Sequence, residues 1–190
     1  AGGPGSGPGE LAAGMKTASG PARAGPAAKE ETKIEAYKIM QIEDPAQRAA
    51  CTQEVLESLP DWFGNAQGIA EYCHKVQALP LWAAVGSAGA WLGLLAVTIH
   101  YGRTGELVVM GVKPGLHRQG VGQALYQAAE GYFVEKGCRY AMAKTLSDTV
   151  DFPPYEATRR FYQAMGFGPL ATLTEMWDEE NPCLIMLKAL

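Results

Sequence analysis

The stretch from Glu106 to Leu125, ELVVMGVKPGLHRQGVGQAL, constrains this chain more than any other. It joins a strand pattern to a helix pattern through a turn that carries Pro114, Gly115, Gly120 and Gly122. Glu106-Leu107-Val108-Val109-Met110 is rich in β-formers, and Gly111 interrupts the ladder where a bulge is expected. From Val121 onward, Ala124, Leu125, Ala128, Ala129, Tyr132 and Phe133 keep the i, i+3, i+4 spacing of one helix face. A helix that begins on glycine, beside the run His117-Arg118-Gln119, is a phosphate site in physical terms. Its first amide N–H groups have no intrahelical partner, its dipole is positive there, and glycine lets an oxyanion come close.

Two common phosphate-binding designs do not fit. No Lys-Ser or Lys-Thr pair closes the turn, as a P-loop requires. In a dinucleotide fold the third glycine position would hold Leu125, and Met142 and Lys144 stand about 20 residues on, where an acid is needed. A second element lies about 40 residues after the turn, Arg160-Phe161-Tyr162-Gln163-Ala164-Met165-Gly166-Phe167. On a helix, Phe161 shares a face with Ala157, Ala164 and Met165 and is expected in the core. Tyr162 shares the other with Tyr155, Thr158 and Arg159 and is expected to turn its hydroxyl into a cleft.

Together these two elements resemble the GNAT (GCN5-related) N-acetyltransferases. Their acyl-CoA motif, Gln/Arg-x-x-Gly-x-Gly/Ala, reads here His117-Arg118-Gln119-Gly120-Val121-Gly122, with His117 in place of the usual Gln or Arg. Their second signature places a Phe-Tyr pair just ahead of Gly-Phe. The resemblance covers residues 33–190. It implies an α/β GNAT fold, with a mixed central sheet splayed between the fourth and fifth strands and flanked by helices. It also implies acetyl-CoA as co-substrate, no metal, and direct acetyl transfer to a primary amine of a small molecule or peptide in a ternary complex.

The resemblance assigns roles residue by residue. Tyr162 would donate a proton to the departing thiolate; from a phenol near ~10 to a thiol near ~8.5 this is uphill by about 2 kcal/mol, so it acts mainly as a positioned donor. An amine of pKa ~10.4 is ~99.9% protonated at pH 7, so a base or a water relay is needed, and the resemblance points to Glu106, which opens the organising strand, as the base. Gly111 and Pro114 cannot sustain pairing, so backbone groups at Met110, Gly111 and Val112 would be free for the pantetheine arm, one N–H meeting the thioester oxygen. His117, Arg118, Gln119, Gly120, Val121, Gly122 and Gln123 would hold the pyrophosphate. His100 is expected to be structural. The acceptor side is expected from Asp61-Trp62-Phe63, the early helices and the Ser147–Pro154 connection, with Asp61, Asp148 and Asp151 suited to a cationic amine. The family's frequent asparagine at the start of the second motif's helix is replaced by Tyr155. The competing class is a non-catalytic acyl-CoA-binding regulatory module on the same fold, and a second enzyme reading is a longer-chain acyltransferase. The resemblance also allows a homodimer.

The rest of the chain sets the frame. Its 190 residues suit one domain, and a net charge of -4 argues against nucleic acid as the main partner. Cys51, Cys73, Cys138 and Cys183 form no CxxC pair, which points to reduced thiols in a cytoplasmic protein. No apolar run reaches the ~20 residues of a membrane span. Residues 1–32, rich in Gly, Pro, Ala and Ser, are expected to be a disordered leader or cloning-derived segment, with Met15 an internal start, and 33–190 the domain. The expected elements are a strand over 33–41, helices opened by Asp44-Pro45 and Asn65, strands over 82–87, 91–101 and from Glu106, the long helix to Gly137, a strand over 139–145, a helix over 154–165, and strands over 170–175 and 183–188.

Overall fold

The computed structural model describes residues 36–190. The expected leader, and the start of the expected first strand at Lys33, lie outside the described residues. The elements are β1 (Tyr37–Gln41), α1 (Pro45–Glu57), α2 (Ala66–Val76), β2 (Leu81–Gly86), β3 (Trp91–His100), β4 (Thr104–Val112), α3 (Val121–Glu135), β5 (Tyr140–Leu146), α4 (Pro153–Ala164), β6 (Gly168–Asp178) and β7 (Asn181–Ala189). Local chemistry sets many of the ends. Asp44 accepts from the Gln47 amide at 2.7 Å and Asn65 accepts from the Gln67 amide at 2.9 Å, each satisfying a bare helix-start donor. Gly137 and Gly166, both at positive φ, end α3 and α4.

The strands form one mixed sheet in the order β1-β2-β3-β4-β5-β7-β6. Every adjacent pair is antiparallel except β4–β5, which is parallel. α1 and α2 cover one face, where Val55, Leu56, Ile69 and Val76 pack on Leu81, Ala83, Leu94 and Val109. α3 and α4 cover the other, where Leu125, Ala129, Phe133 and Tyr162 pack on Leu95, Val97, Leu107 and Ala143. This is the expected GNAT-type architecture.

The bulge in β4 lies at Val108, ahead of the expected Gly111. Ala96 faces Val109 while the next residue, Val97, faces Leu107, so Val108 is the extra residue. A two-residue step normally keeps a side chain on one face. Here the bulge breaks that parity, sending Leu107 to the α3–α4 face and Val109 to the α1–α2 face. Gly111 stays in the ladder opposite Leu94, and its bareness serves packing: a Cβ there would lie 2.8 Å from Leu59 Cδ1.

β4 and β5 pair only from Thr104–Tyr140 to Leu107–Ala143. Beyond that point β5 continues along β7 to Leu146, while β4 continues along β3 to Val112. The sheet therefore parts between its fourth and fifth strands.

Candidate acyl-transfer cleft

The gap opens into a cleft of about 1500 Å³. Antiparallel pairing alternates bonded and non-bonded residues. The Lys113 amide donates to the Leu92 carbonyl at 2.9 Å, which makes Gly111 and Val109 the residues bonded to β3. Met110 and Val112 therefore direct their amides and carbonyls into the gap. Of these, the Val112 carbonyl is taken: His117 Nε2 bonds it at 2.7 Å, and the same ring meets Trp62 edge-on. His117 thus locks the turn, and the amides of Met110 and Val112 stay directed into the gap.

The α3 tip has the expected character. Its N-cap is Gly120, at φ +83°, and among the described residues no side chain caps the first amides. Arg118 is also left-handed, at φ +62°. Alternating right- and left-handed residues turn successive amides inward into an anion-binding concavity. Arg118 is exposed and has no ion pair among the described residues. A Cβ at Gly122 would lie 3.2 Å from the Phe161 ring and 3.3 Å from Met110 Cε, so this position is bare because two cleft side chains close over it.

The cleft brings together Glu106, Met110, Gly111, Val112, His117, Arg118, Gly120, Gly122, Gln123 and Tyr162. Gln119 and Val121 do not line it. Gln119 Nε2 folds back onto the Gly115 carbonyl at 2.9 Å, and Val121 is buried in the core. On α4 the buried residues are Tyr155 and Tyr162, while Phe161, expected in the core, is half-buried; Tyr155, Phe161 and Tyr162 all line the cleft. Burial, with Tyr72 adding to it, pushes the Tyr162 phenol up to about 12.

Glu106 is buried although it is charged and lies near the turn of the β3–β4 hairpin. Its Oε2 bonds His100 Nε2 at 2.5 Å and its Oε1 bonds Lys144 Nζ at 3.0 Å. Burial alone would raise its pKa, but the bonds from His100 and Lys144 outweigh that and hold the carboxyl below its ordinary range. Asp61, Asp148 and Asp151 are exposed and lie outside the cleft wall; the acids that line it besides Glu106 are Glu71 and Glu156. Sequence reasoning also passed over Lys75, Lys144 and Thr145. The Thr145 hydroxyl is buried in the cleft wall and has no hydrogen-bond partner among the described residues. A signal for His100 did exist in the sequence: Tyr101 and Gly102, both at positive φ, form the tight turn of the β3–β4 hairpin. That turn sets Thr98 opposite Glu106 and His100 opposite Thr104, leaving His100 and Glu106 diagonal on one face.

Comparisons with known proteins agree with this fold. A crystal structure of a GNAT-family protein from Desulfovibrio desulfuricans superposes with a TM-score of 0.69 at 20% identity, covering 81% of this chain and 99% of that one. Ard1 from Thermoplasma volcanium gives 0.64 at 16% identity, over 82% and 98%. An aminoglycoside 6'-N-acetyltransferase complexed with coenzyme A gives 0.63 at 15%, over 80% and 96%. No curated protein sequence matches the chain significantly. The model of the acetyltransferase (GNAT) family matches residues 36–167. With the parted strands and the bare helix tip in place, that match over most of the chain makes it a member of the GNAT family of acetyltransferases.

Proposed function

We propose that this protein is an N-acetyltransferase that moves the acetyl group of acetyl-CoA directly to a primary amine in a ternary complex. The observation that carries this reading is the meeting, in one cleft, of the glycine-capped α3 tip, the half of β4 that parts from β5, and Tyr162. The described residues fit the co-substrate: Arg118, Gly120, Gly122 and Gln123 line a tip suited to a diphosphate, and Met110 and Val112 offer amides to an extended arm. Acetyl-CoA supplies an activated thioester; all else is done by the chain. The catalytic domain is residues 33–190, with 1–32 outside it.

Tyr162 stays neutral at physiological pH. At about 12 its phenol sits ~3.5 units above an ordinary thiol, so complete transfer to a thiolate would cost roughly 5 kcal/mol. Tyr162 therefore works by donating a hydrogen bond to the sulfur as charge develops, and transfers its proton late. Among the described residues no group bonds its hydroxyl, which leaves the donor for substrate. Glu106 supplies the negative charge that favours proton removal from the amine. A small-molecule amine is favoured by the likeness to an aminoglycoside 6'-N-acetyltransferase, with a peptide amine as the other acceptor class.

The test is incubation with acetyl-CoA and a panel of a polyamine, a peptide and an aminoglycoside, reading free thiol. Release that depends on the amine is expected. Tight acetyl-CoA binding without turnover across the panel would favour the non-catalytic module.

A further inference from the structure

Resting on that reading, we propose that His100, held by Glu106, is the group that takes the proton from the acceptor amine, Glu106 being its positioning residue and not itself the base. Both oxygens of Glu106 are engaged, one by His100 Nε2 at 2.5 Å and one by Lys144 Nζ at 3.0 Å. The Glu106 side chain is only 9% exposed, against 43% for His100. An amine entering the cleft therefore meets the imidazole more readily than the carboxylate. A carboxylate is acceptor-only, so Nε2 must carry the hydrogen in this bond. In its neutral form the ring then holds its lone pair on Nδ1, which has no partner among the described residues. Lys144 keeps Glu106 ionised, and the ionised carboxylate fixes the tautomer that makes Nδ1 basic.

The charged groups lining this end of the cleft are Glu71 and Lys75 from α2, Glu106 from β4 and Lys144 from β5. They nearly balance, so the site can carry an imidazolium briefly without a large field against it. The step balances as follows. The ammonium gives one proton to His100 Nδ1, and the freed nitrogen lone pair forms the C–N bond as the C–S bond breaks. Tyr162 protonates the sulfur, the second proton of the nitrogen returns to Tyr162, and His100 releases its proton to solvent. Products are the amide, the free thiol and one proton.

The experiment has two arms. Two-dimensional ¹H–¹⁵N NMR of the imidazole nitrogens in the wild-type chain should show the Nε2–H tautomer for His100, and a mixture in Glu106→Gln. In parallel, His100→Ala should lose about 100-fold or more in kcat, within the range of general-base loss, keep its acetyl-CoA affinity within about twofold, and regain activity with added imidazole. An Nδ1–H tautomer, His100→Ala activity within twofold of wild type, or a loss that imidazole does not restore would overturn the relay. His100→Gln, which keeps the side-chain volume, and a melting curve for each variant separate chemistry from folding. Wild-type failure to bind acetyl-CoA would instead overturn the parent reading, which keeps the two failures distinct.

Discussion

The indole Nε1 of Trp62 donates to Thr158 Oγ1 at 3.1 Å, joining residues 96 positions apart. The loop between α1 and α2 is thereby fastened to α4. Because the same indole meets His117 edge-on, one ring touches both the loop before α3 and the helix that bears Tyr162. Replacing Trp62 by Phe should remove the bond and cost about 1 kcal/mol. A double-mutant cycle with Thr158→Val, read by denaturant unfolding, should return a coupling of that order. Zero coupling would mean that the loop is held by its other contacts.

Tyr162→Phe should lower kcat about 10- to 100-fold with little change in acetyl-CoA affinity, because only the donor to the sulfur is removed. Steady-state kinetics beside calorimetric titration would show this. An unchanged kcat would take Tyr162 out of the mechanism.

Gly120→Ala places a side chain at φ +83°, a strain of order 1 kcal/mol, at the tip proposed to meet the diphosphate. Acetyl-CoA KM should rise by at least tenfold with kcat less affected. Arg118→Ala should weaken binding several-fold and reduce its salt dependence.

Two glycines of opposite surroundings test the packing argument. A Cβ at Gly105 would lie 2.3 Å from the buried ring of Phe133, while one at Gly131, inside α3, meets nothing within 4 Å. Gly105→Ala should cost about 3 kcal/mol or more by overpacking. Gly131→Ala should stabilise by about 0.5–1 kcal/mol through helix propensity. Thermal unfolding of both variants is sufficient to decide.

Alkaline pH should loosen the fold in a defined window. Burial pushes the phenols of Tyr72 and Tyr162 up to about 12, so the folded state holds these protons more tightly than the unfolded chain, whose phenols titrate at the ordinary 10.0. Their contribution is complete below about pH 10 and is lost as pH rises toward about 12. Melting temperature should fall across that window, less steeply in Tyr162→Phe. A flat profile would show that the cleft lets water reach these rings.

The sequence alone determined what is local. The glycine-tipped start of α3, the caps at Asp44 and Asn65 and the glycine stops at Gly137 and Gly166 follow from conformational preferences and unpaired amides within a few residues. The order of strands and helices follows from their periodicities. Tertiary structure decided how those pieces address one another. The extra residue at Val108 reverses which face β4 presents, so Glu106 lies among His100, Lys144 and α2, while Tyr162 comes from the helix layer on the opposite face. Groups from two faces of one sheet share a cleft only because β4 and β5 part after Leu107. Register, parity and parting are set by which strands pair across long stretches of chain, and local propensity carries no record of that choice.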